Sequence, residues 1–353
     1  MFCRLDNLRK GTACATIQRM DWDFVGNEWA VKMLKQQAVQ DSTRHAYILA
    51  GPQGIGKRTL ALRFIQALNC PKAEGTGEPC CECRSCRQIE AMQFSDMQIV
   101  EMLEDKSAII IDQIRQVQQF LSLTAYESKA KTALLVNFQN ANPQAQNALL
   151  KTLEESPGSS RLIITTDAPE SLLPTIVSRC EVLNLRPISA REVSTALAKR
   201  LGVEAHLAEL LGHISGGRYG YARYLAEEPE VLEQRSMWLD EWVELQGMNR
   251  RQRFKYVENK LTRKLDLKKQ RETLRDMIAC WTSYSRDILL SANGAMSPPM
   301  NMDRKDEVAR IAGKFKPSKA ASVIRSLEMA AERIDSYCNP RLVMETLMLE
   351  IRD

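Results

Sequence analysis

An apolar run, Ala46–Ala50 (AYILA), leads directly into Gly51-Pro-Gln-Gly-Ile-Gly56-Lys57, and that loop opens the amphipathic stretch Arg58–Leu68. No other feature of the chain restricts its fold as strongly. Glycines at 51, 54 and 56 let successive backbone N–H groups turn toward one point. The helix start adds positive potential there, and Lys57 brings a charge on a long arm. Strand, glycine-rich loop and helix in that order specify a phosphate loop inside an α/β sheet protein.

The rest of the first half agrees with that architecture. Met97–Met102, Thr132–Phe138, Arg161–Thr166 and Glu181–Leu185 are four more short apolar runs. Amphipathic stretches separate the runs, at Asn27–Val39, Arg58–Leu68, Ile111–Leu123 and Gln144–Glu155. Alternation of this kind predicts a five-stranded parallel sheet covered on both faces by helices. After Arg186-Pro187 the period changes. Ala190–Leu201, Ala205–His213 and Tyr219–Leu225 form a small helical unit with Gly216-Gly217 as a turn, and 241–353 continues helical with a break near Ala292–Pro299. The expected organisation is a P-loop module at 20–187, a helical lid at 188–240 and a helical domain at 241–353.

The N-terminal twenty residues lack the apolar centre of a secretion signal, so 1–19 is taken as a tail or a misassigned start. No stretch reaches the roughly 18–20 apolar residues that cross a bilayer; no membrane association and a cytoplasmic setting are expected. Charge is uneven. Between Asn249 and Asp276 eleven Lys/Arg face four Asp/Glu, an excess of seven that outweighs the chain's net +5. A solvated helix face explains such a stretch better than nucleic-acid contact does: Phe254 and Tyr256 are its only aromatics, so the charges are not interleaved along it in the way that stacks bases.

The phosphate loop lacks two parts of an ATP-hydrolysing site. The position after the lysine takes Ser or Thr so that a hydroxyl can ligate Mg²⁺, and here it is Arg58; Thr59 comes one residue late, about 100° around the helix. The strand expected to end in an acidic pair ends instead in Val136-Asn137-Phe138, and no Asp or Glu follows before Glu154. Glu101 and Asp112 are the nearest acids, on other elements. Metal and attacking water then have no proper support, so negligible hydrolysis is expected.

Ten cysteines would suit a disulfide framework by count, but their spacing separates them. Cys70-x9-Cys80-x2-Cys83-x2-Cys86 offers four thiolates at the spacing of a closed tetrahedral zinc site. No histidine, aspartate or water position accompanies them, so the site reads as structural. Cys81 is expected to point away; Cys3, Cys14, Cys180, Cys280 and Cys338 are scattered, and are expected to be buried or inert.

Taken in order, the loop, the four cysteines, Ala145-Gln146-Asn147-Ala148-Leu149-Leu150-Lys151-Thr152-Leu153-Glu154-Glu155, Thr165-Thr166 and Ser178-Arg179-Cys180 resemble the bacterial clamp-loader AAA+ subunits of DNA polymerase III. The resemblance covers roughly Asp21 to Arg186. It implies an AAA+ module with an inserted zinc module at 70–86, a helical lid and a C-terminal collar domain. The ATP-hydrolysing gamma/tau branch carries acids where this chain has Val136-Asn137, so the chain looks like the non-hydrolysing branch; Asn339-Pro340-Arg341-Leu342 and VMETLMLEI resemble that branch's C-terminus too.

On this resemblance Arg179 is an arginine finger given in trans to a neighbour's ATP site, and Thr165 and Thr166 match a γ-phosphate sensor. Gly220 falls where active relatives have a sensing arginine, with Arg218 and Arg223 close by. Gly51, Gly54, Gly56, Lys57, Arg58 and Thr59 form the degenerate nucleotide loop, which either holds ATP or ADP without turnover or holds nothing. The implied assembly is a hetero-oligomer with gamma/tau and delta subunits, acting through the complex on the sliding clamp and primer–template DNA. No catalysis of its own is expected from this subunit of a DNA-directed DNA polymerase holoenzyme. Two alternatives stay open: an active gamma/tau-type ATPase, and a zinc-dependent nucleic-acid binder.

Overall fold

Strand β1 (Ala46–Ala50) has no residue exposed on either face. A five-residue run without a charged side chain is stable only where helices cover both faces and strands pair with both edges. In the computed structural model this is its position. The structure describes residues 21–40, 43–103, 106, 108–155, 160–261, 266–314 and 316–351. The expected tail at 1–19, Cys3, Cys14, Arg263 and Lys264 lie outside the described residues.

With β2 (Met97–Val100), β3 (Thr132–Leu135), β4 (Arg161–Thr166) and β5 (Glu181–Asn184), β1 forms one sheet of order β2-β3-β4-β1-β5. All pairs are parallel; Ile48 sits opposite Ile164 of β4 and Val182 of β5. Successive side chains of β1 go to opposite faces. Tyr47 and Leu49 join a core with Leu34 of α1 (Glu28–Gln40) and Leu60, Phe64 and Ile65 of α2 (Lys57–Asn69). A short third helix, α3 (Arg84–Glu90), follows within the cysteine segment, where the sequence suggested none. Ile48 and Ala50 join the opposite core with Ile114 and Val117 of α4 (Ile111–Ser122) and Leu149 of α5 (Pro143–Glu154).

The five-stranded sheet and its helices are those expected from the sequence. Three strands are shorter than expected, β5 by the single residue Leu185. β2 stops at Val100, and β3 stops at Leu135 because Asn137 takes the left-handed conformation (φ 52°) and Phe138–Asn140 coils into a 3-10 turn. Phe138 is nonetheless fully buried, so its apolarity reads like strand although it packs from a turn.

After α6 (Pro174–Val177) and β5 the chain is helical: α7 (Ala190–Leu201), α8 (Ala205–Ile214), α9 (Tyr219–Glu227), α10 (Pro229–Gly247), α11 (Arg250–Lys260), α12 (Leu267–Ala292), α13 (Lys305–Ala312), α14 (Pro317–Asp335) and α15 (Pro340–Glu350). No described helix is long and apolar enough to cross a membrane. The described chain divides into two compact units, residues 21–202 with 216–222, and 203–215 with 223–351. The second unit has its own core, centred on Trp242 stacked against Trp281 at 4.6 Å between ring centroids. Both indole N–H groups are satisfied, on Ser285 Oγ and Trp238 O.

A buried carboxylate anchors the loop before β3. Asp96 is 1% exposed and accepts from the backbone N–H groups of Tyr126, Glu127 and Ser128, from Ser128 Oγ, and from Lys131 Nζ at 3.0 Å. Burial alone opposes this charge, but the amides of Tyr126 and Glu127 and the Lys131 ammonium outweigh it and hold the carboxyl well below the usual range. Replacing Asp96 by Ala strands Lys131 and three amides. The expected loss is about 3–5 kcal/mol of unfolding free energy in urea titrations. Because the folded pKa lies below the unfolded value of about 3.9, the unfolded state binds the proton first as pH falls. The contribution is complete above that value and lost on further acidification, and the acid limb of the Asp96→Ala stability curve should be flatter than that of wild type.

Candidate functional site

The loop after β1 has the backbone of a phosphate cradle. Gly56 caps α2 in the left-handed region (φ 106°) without a side-chain cap, and the first turn of a helix is where an anion is favoured. Lys57 does not extend into open space. It is 6% exposed, and its Nζ donates to Gly51 O at 2.6 Å, Pro52 O at 3.2 Å and Asp167 Oδ1 at 2.5 Å. Burial lowers the Lys57 pKa, and Asp167 works in the opposite direction. Asp167 follows β4 and is itself held: its Oδ2 accepts from Gln139 Nε2 at 3.1 Å, and its N–H donates to Gln139 Oε1 at 3.3 Å.

The metal-ligand position is filled by a cation that has found an acid. Arg58 reaches Glu101 just beyond β2, 3.4 Å away, and lies 2.8 Å from Met92 Sδ. A guanidinium here repels Mg²⁺ instead of ligating it. Thr59 is exposed. Asp112 pairs with Arg115 on α4, so neither Glu101 nor Asp112 is spare to replace the missing acids. Thr165 and Thr166 are buried at the end of β4; Thr165 Oγ1 accepts from Asn137 N at 2.9 Å, and Thr166 Oγ1 donates to Ala168 O. Both hydroxyls serve the ends of strands. The residues present therefore do not fit a Mg-nucleotide of the hydrolysing kind.

The start of α9 closes over the loop. Tyr221 N donates to Gly54 O at 3.0 Å, and a β-carbon added to Gly220 would meet Gly54 O at 2.7 Å. No side chain fits at 220, which explains why glycine stands there. Arg218 lies over the Tyr221 ring at 4.7 Å, and Arg223 pairs with Glu227.

Arg179 occupies the other edge of the sheet. It precedes β5, whose Glu181 is in register with Tyr47, whereas the loop follows Ala50. Because the strands are parallel, about 17 Å of β1 separates the two levels. The Arg179 side chain is 37% exposed and is braced by Glu154 Oε1 at 2.9 Å and Thr175 O at 3.0 Å. Glu154 ends α5, where the helix dipole also favours a cation. One turn into the same helix, buried Gln146 accepts from Leu173 N and donates to Ala141 O, fixing the segment that leads into α6 and Arg179. These partners were not picked out from the sequence. Asp167 could have been suspected as the first acid after Thr165-Thr166; Gln146 and Glu154 stand in the segment 145–155 that carries the resemblance, without a role assigned to them there, and Gln139 carries no such signal.

Cys70, Cys80, Cys83 and Cys86 converge, with their sulfurs all within 4.8 Å of one another. Cys70 Sγ is 3.5 Å from Cys80 Sγ and 3.9 Å from Cys83 Sγ. Four sulfurs each about 2.3 Å from a central zinc stand about 3.8 Å apart, whereas a disulfide needs about 2.05 Å. The cluster thus fits a tetrahedral metal ion and not paired disulfides. Backbone N–H groups of Cys80, Cys83 and Cys86 point at the sulfurs of Cys70, Cys80 and Cys83. Cys81 turns aside in the left-handed region, its sulfur against Arg63 at 3.3 Å. Cys180 and Cys280 are partly buried; Cys338, expected buried or inert, is exposed.

The basic stretch is partly structural. Arg253 is 2% exposed and donates to Leu245 O, Gln246 O and Ile351 O, closing the carboxyl ends of α10 and α15. Lys260 pairs with Glu241, Arg275 with Asp335, and Arg271 donates to Tyr337 O.

A family model described as DNA polymerase III, delta subunit, matches residues 26–189. The delta-prime subunit of DNA polymerase III from Bacillus subtilis is 27% identical over 323 residues, 92% of this chain and 95% of its own. The delta-prime subunit from Pseudomonas aeruginosa is 37% identical over 191 residues, 54% of this chain and 58% of its own. The tau subunit from Bacillus subtilis is 30% identical over 200 residues, 55% of this chain and 35% of its own. The chain is therefore similar to the clamp-loader subunits of DNA polymerase III, and over nearly its whole length to a delta-prime subunit.

Proposed function

We propose that the chain is the non-hydrolysing stator of a bacterial clamp loader, donating Arg179 to the ATP site of an adjacent gamma/tau subunit. The position of Arg179 supports this most strongly. It is exposed, braced by Glu154, and on the sheet edge away from the chain's own loop. A guanidinium there cannot reach a phosphate at Lys57, so a phosphate that it stabilises must belong to another chain. Supplied in trans, it would neutralise charge developing on the transferring phosphoryl oxygens. The chain's own loop, with Lys57 paired to Asp167 and Arg58 in the metal-ligand position, contributes structure.

In this proposal the AAA+ module (20–187) and lid (188–240) pack beside gamma/tau, and 241–353 joins a collar with gamma/tau and delta. ATP binding by the neighbours shapes a cytoplasmic hetero-oligomer that opens the sliding clamp and loads it on primer–template DNA. The four-cysteine cluster holds one structural Zn²⁺, which would tie the start of α3 to the end of α2.

Reconstitution with gamma/tau, delta, clamp and primed DNA tests the finger. Arg179→Ala should slow clamp loading at least tenfold, since such arginines are worth about 10³–10⁵ at the site they serve. Arg179→Lys should not rescue it, because an ammonium lacks the planar fork. Full-rate loading by Arg179→Ala would sink the proposal. The gamma/tau-type alternative is checked on the purified chain alone: its ATP turnover should equal that of Lys57→Ala.

Zinc is checked separately by elemental analysis. One equivalent per chain is expected, with Cys86→Ser reducing both the zinc content and the Tm. A metal-free wild-type chain with unchanged Tm would rule out a structural ion.

A further inference from the structure

A lysine ammonium has three N–H donors and no acceptor. In Lys57 all three are directed within the chain, to Gly51 O, Pro52 O and Asp167 Oδ1, and the side chain is nearly sealed from solvent. The terminal phosphates of a nucleotide make their claim on this same ammonium. Two of its present partners, the carbonyls of Gly51 and Pro52, belong to the loop itself. Asp167 is different. It comes from the end of β4 and supplies a full negative charge at the place where a phosphate oxygen would have to stand.

The carboxylate is also aimed. Gln139 donates to Oδ2 and accepts from the Asp167 N–H, so one side chain grips both ends of the residue. Gln139 lies in the 3-10 turn Phe138–Asn140 that replaces the end of β3. The turn that interrupts the strand therefore also presents the group that orients Asp167. From this geometry we propose that Asp167 is a built-in competitor for nucleotide phosphate: a carboxylate latch, set by Gln139, that keeps the phosphate loop closed on Lys57. A nucleoside diphosphate or triphosphate then binds only by expelling Asp167 and bringing its own charge against that carboxylate. The inference stands on the chain's own loop and is independent of whether Arg179 acts in a neighbour.

The test is a fluorescence titration of the full chain with N-methylanthraniloyl-ADP and its ATP counterpart, with and without Mg²⁺. Wild type is expected to bind weakly. Asp167→Asn, which keeps the shape and removes the charge, should bind at least tenfold more tightly. Adding Lys57→Ala to it should abolish the gain, showing that the released ammonium holds the phosphate. Gln139→Ala keeps the charge but frees the carboxylate, and should give a smaller gain in the same direction. Affinities of Asp167→Asn and Gln139→Ala equal to that of wild type, in chains with native near-ultraviolet dichroism, overturn the latch. So does a gain that survives Lys57→Ala. Should Asp167→Asn fail to fold, the Gln139→Ala titration decides by itself: a tighter Kd supports the latch and an unchanged one overturns it.

Discussion

In a sheet whose five strands all run the same way, every carboxyl end lies on one edge and every amino end on the other. The placement of both arginine and lysine chemistry follows from that polarity. The loop with Lys57 leaves the carboxyl end of β1, as do Asp167 from β4 and Glu101 from β2. Arg179 enters at the amino end of β5. With β1 hydrogen-bonded on both sides and buried on both faces, neither edge can shift toward the other without breaking the core. Two groups only the five residues of β1 apart in level are thus held out of each other's reach.

Charge on the loop edge is satisfied within the chain. Lys57 is neutralised by Asp167 and Arg58 by Glu101, so the acids near the loop are engaged by cations and not offered to a metal. Without Asp167, Lys57 would be a buried cation with no counter-charge, a costly state. Asp167 offsets that cost from an adjacent strand. At the amino edge the opposite holds: Arg179 has one braced ion pair and stays at the surface, where a partner can compete for it. Exposed pairs of this type contribute little to stability, about 0–1 kcal/mol, so exchanging Glu154 for a phosphate is energetically accessible.

Polar groups elsewhere act as fasteners between elements. Asp96 gathers three backbone amides ahead of β3, Arg253 collects carbonyls from two helix ends, and four thiols close the segment between α2 and α3. Each does what apolar packing cannot, because a loop or helix end must have its orphan N–H and C=O groups satisfied. Arg253 also alters the meaning of the basic stretch around it. What is dense in positive charge along the sequence is, in three dimensions, part staple and part paired surface.

The sequence by itself determined the five apolar runs, the glycine loop, the absence of strand-end acids and the cysteine spacing. Each of these is local: periodicity, conformational freedom or ligand spacing within a few residues. Boundaries were less legible, since Phe138 is apolar for the core beneath a turn and not for a strand. Tertiary structure alone decided that Asp167 meets Lys57 across 110 residues, with Gln139 aiming it, and that Glu154 braces Arg179. Nothing in the composition of those segments marks such pairs, because they depend on which strands become neighbours. The strand order β2-β3-β4-β1-β5 brings the ends of β4 and β1 together, and with them the acid and the lysine that it occupies.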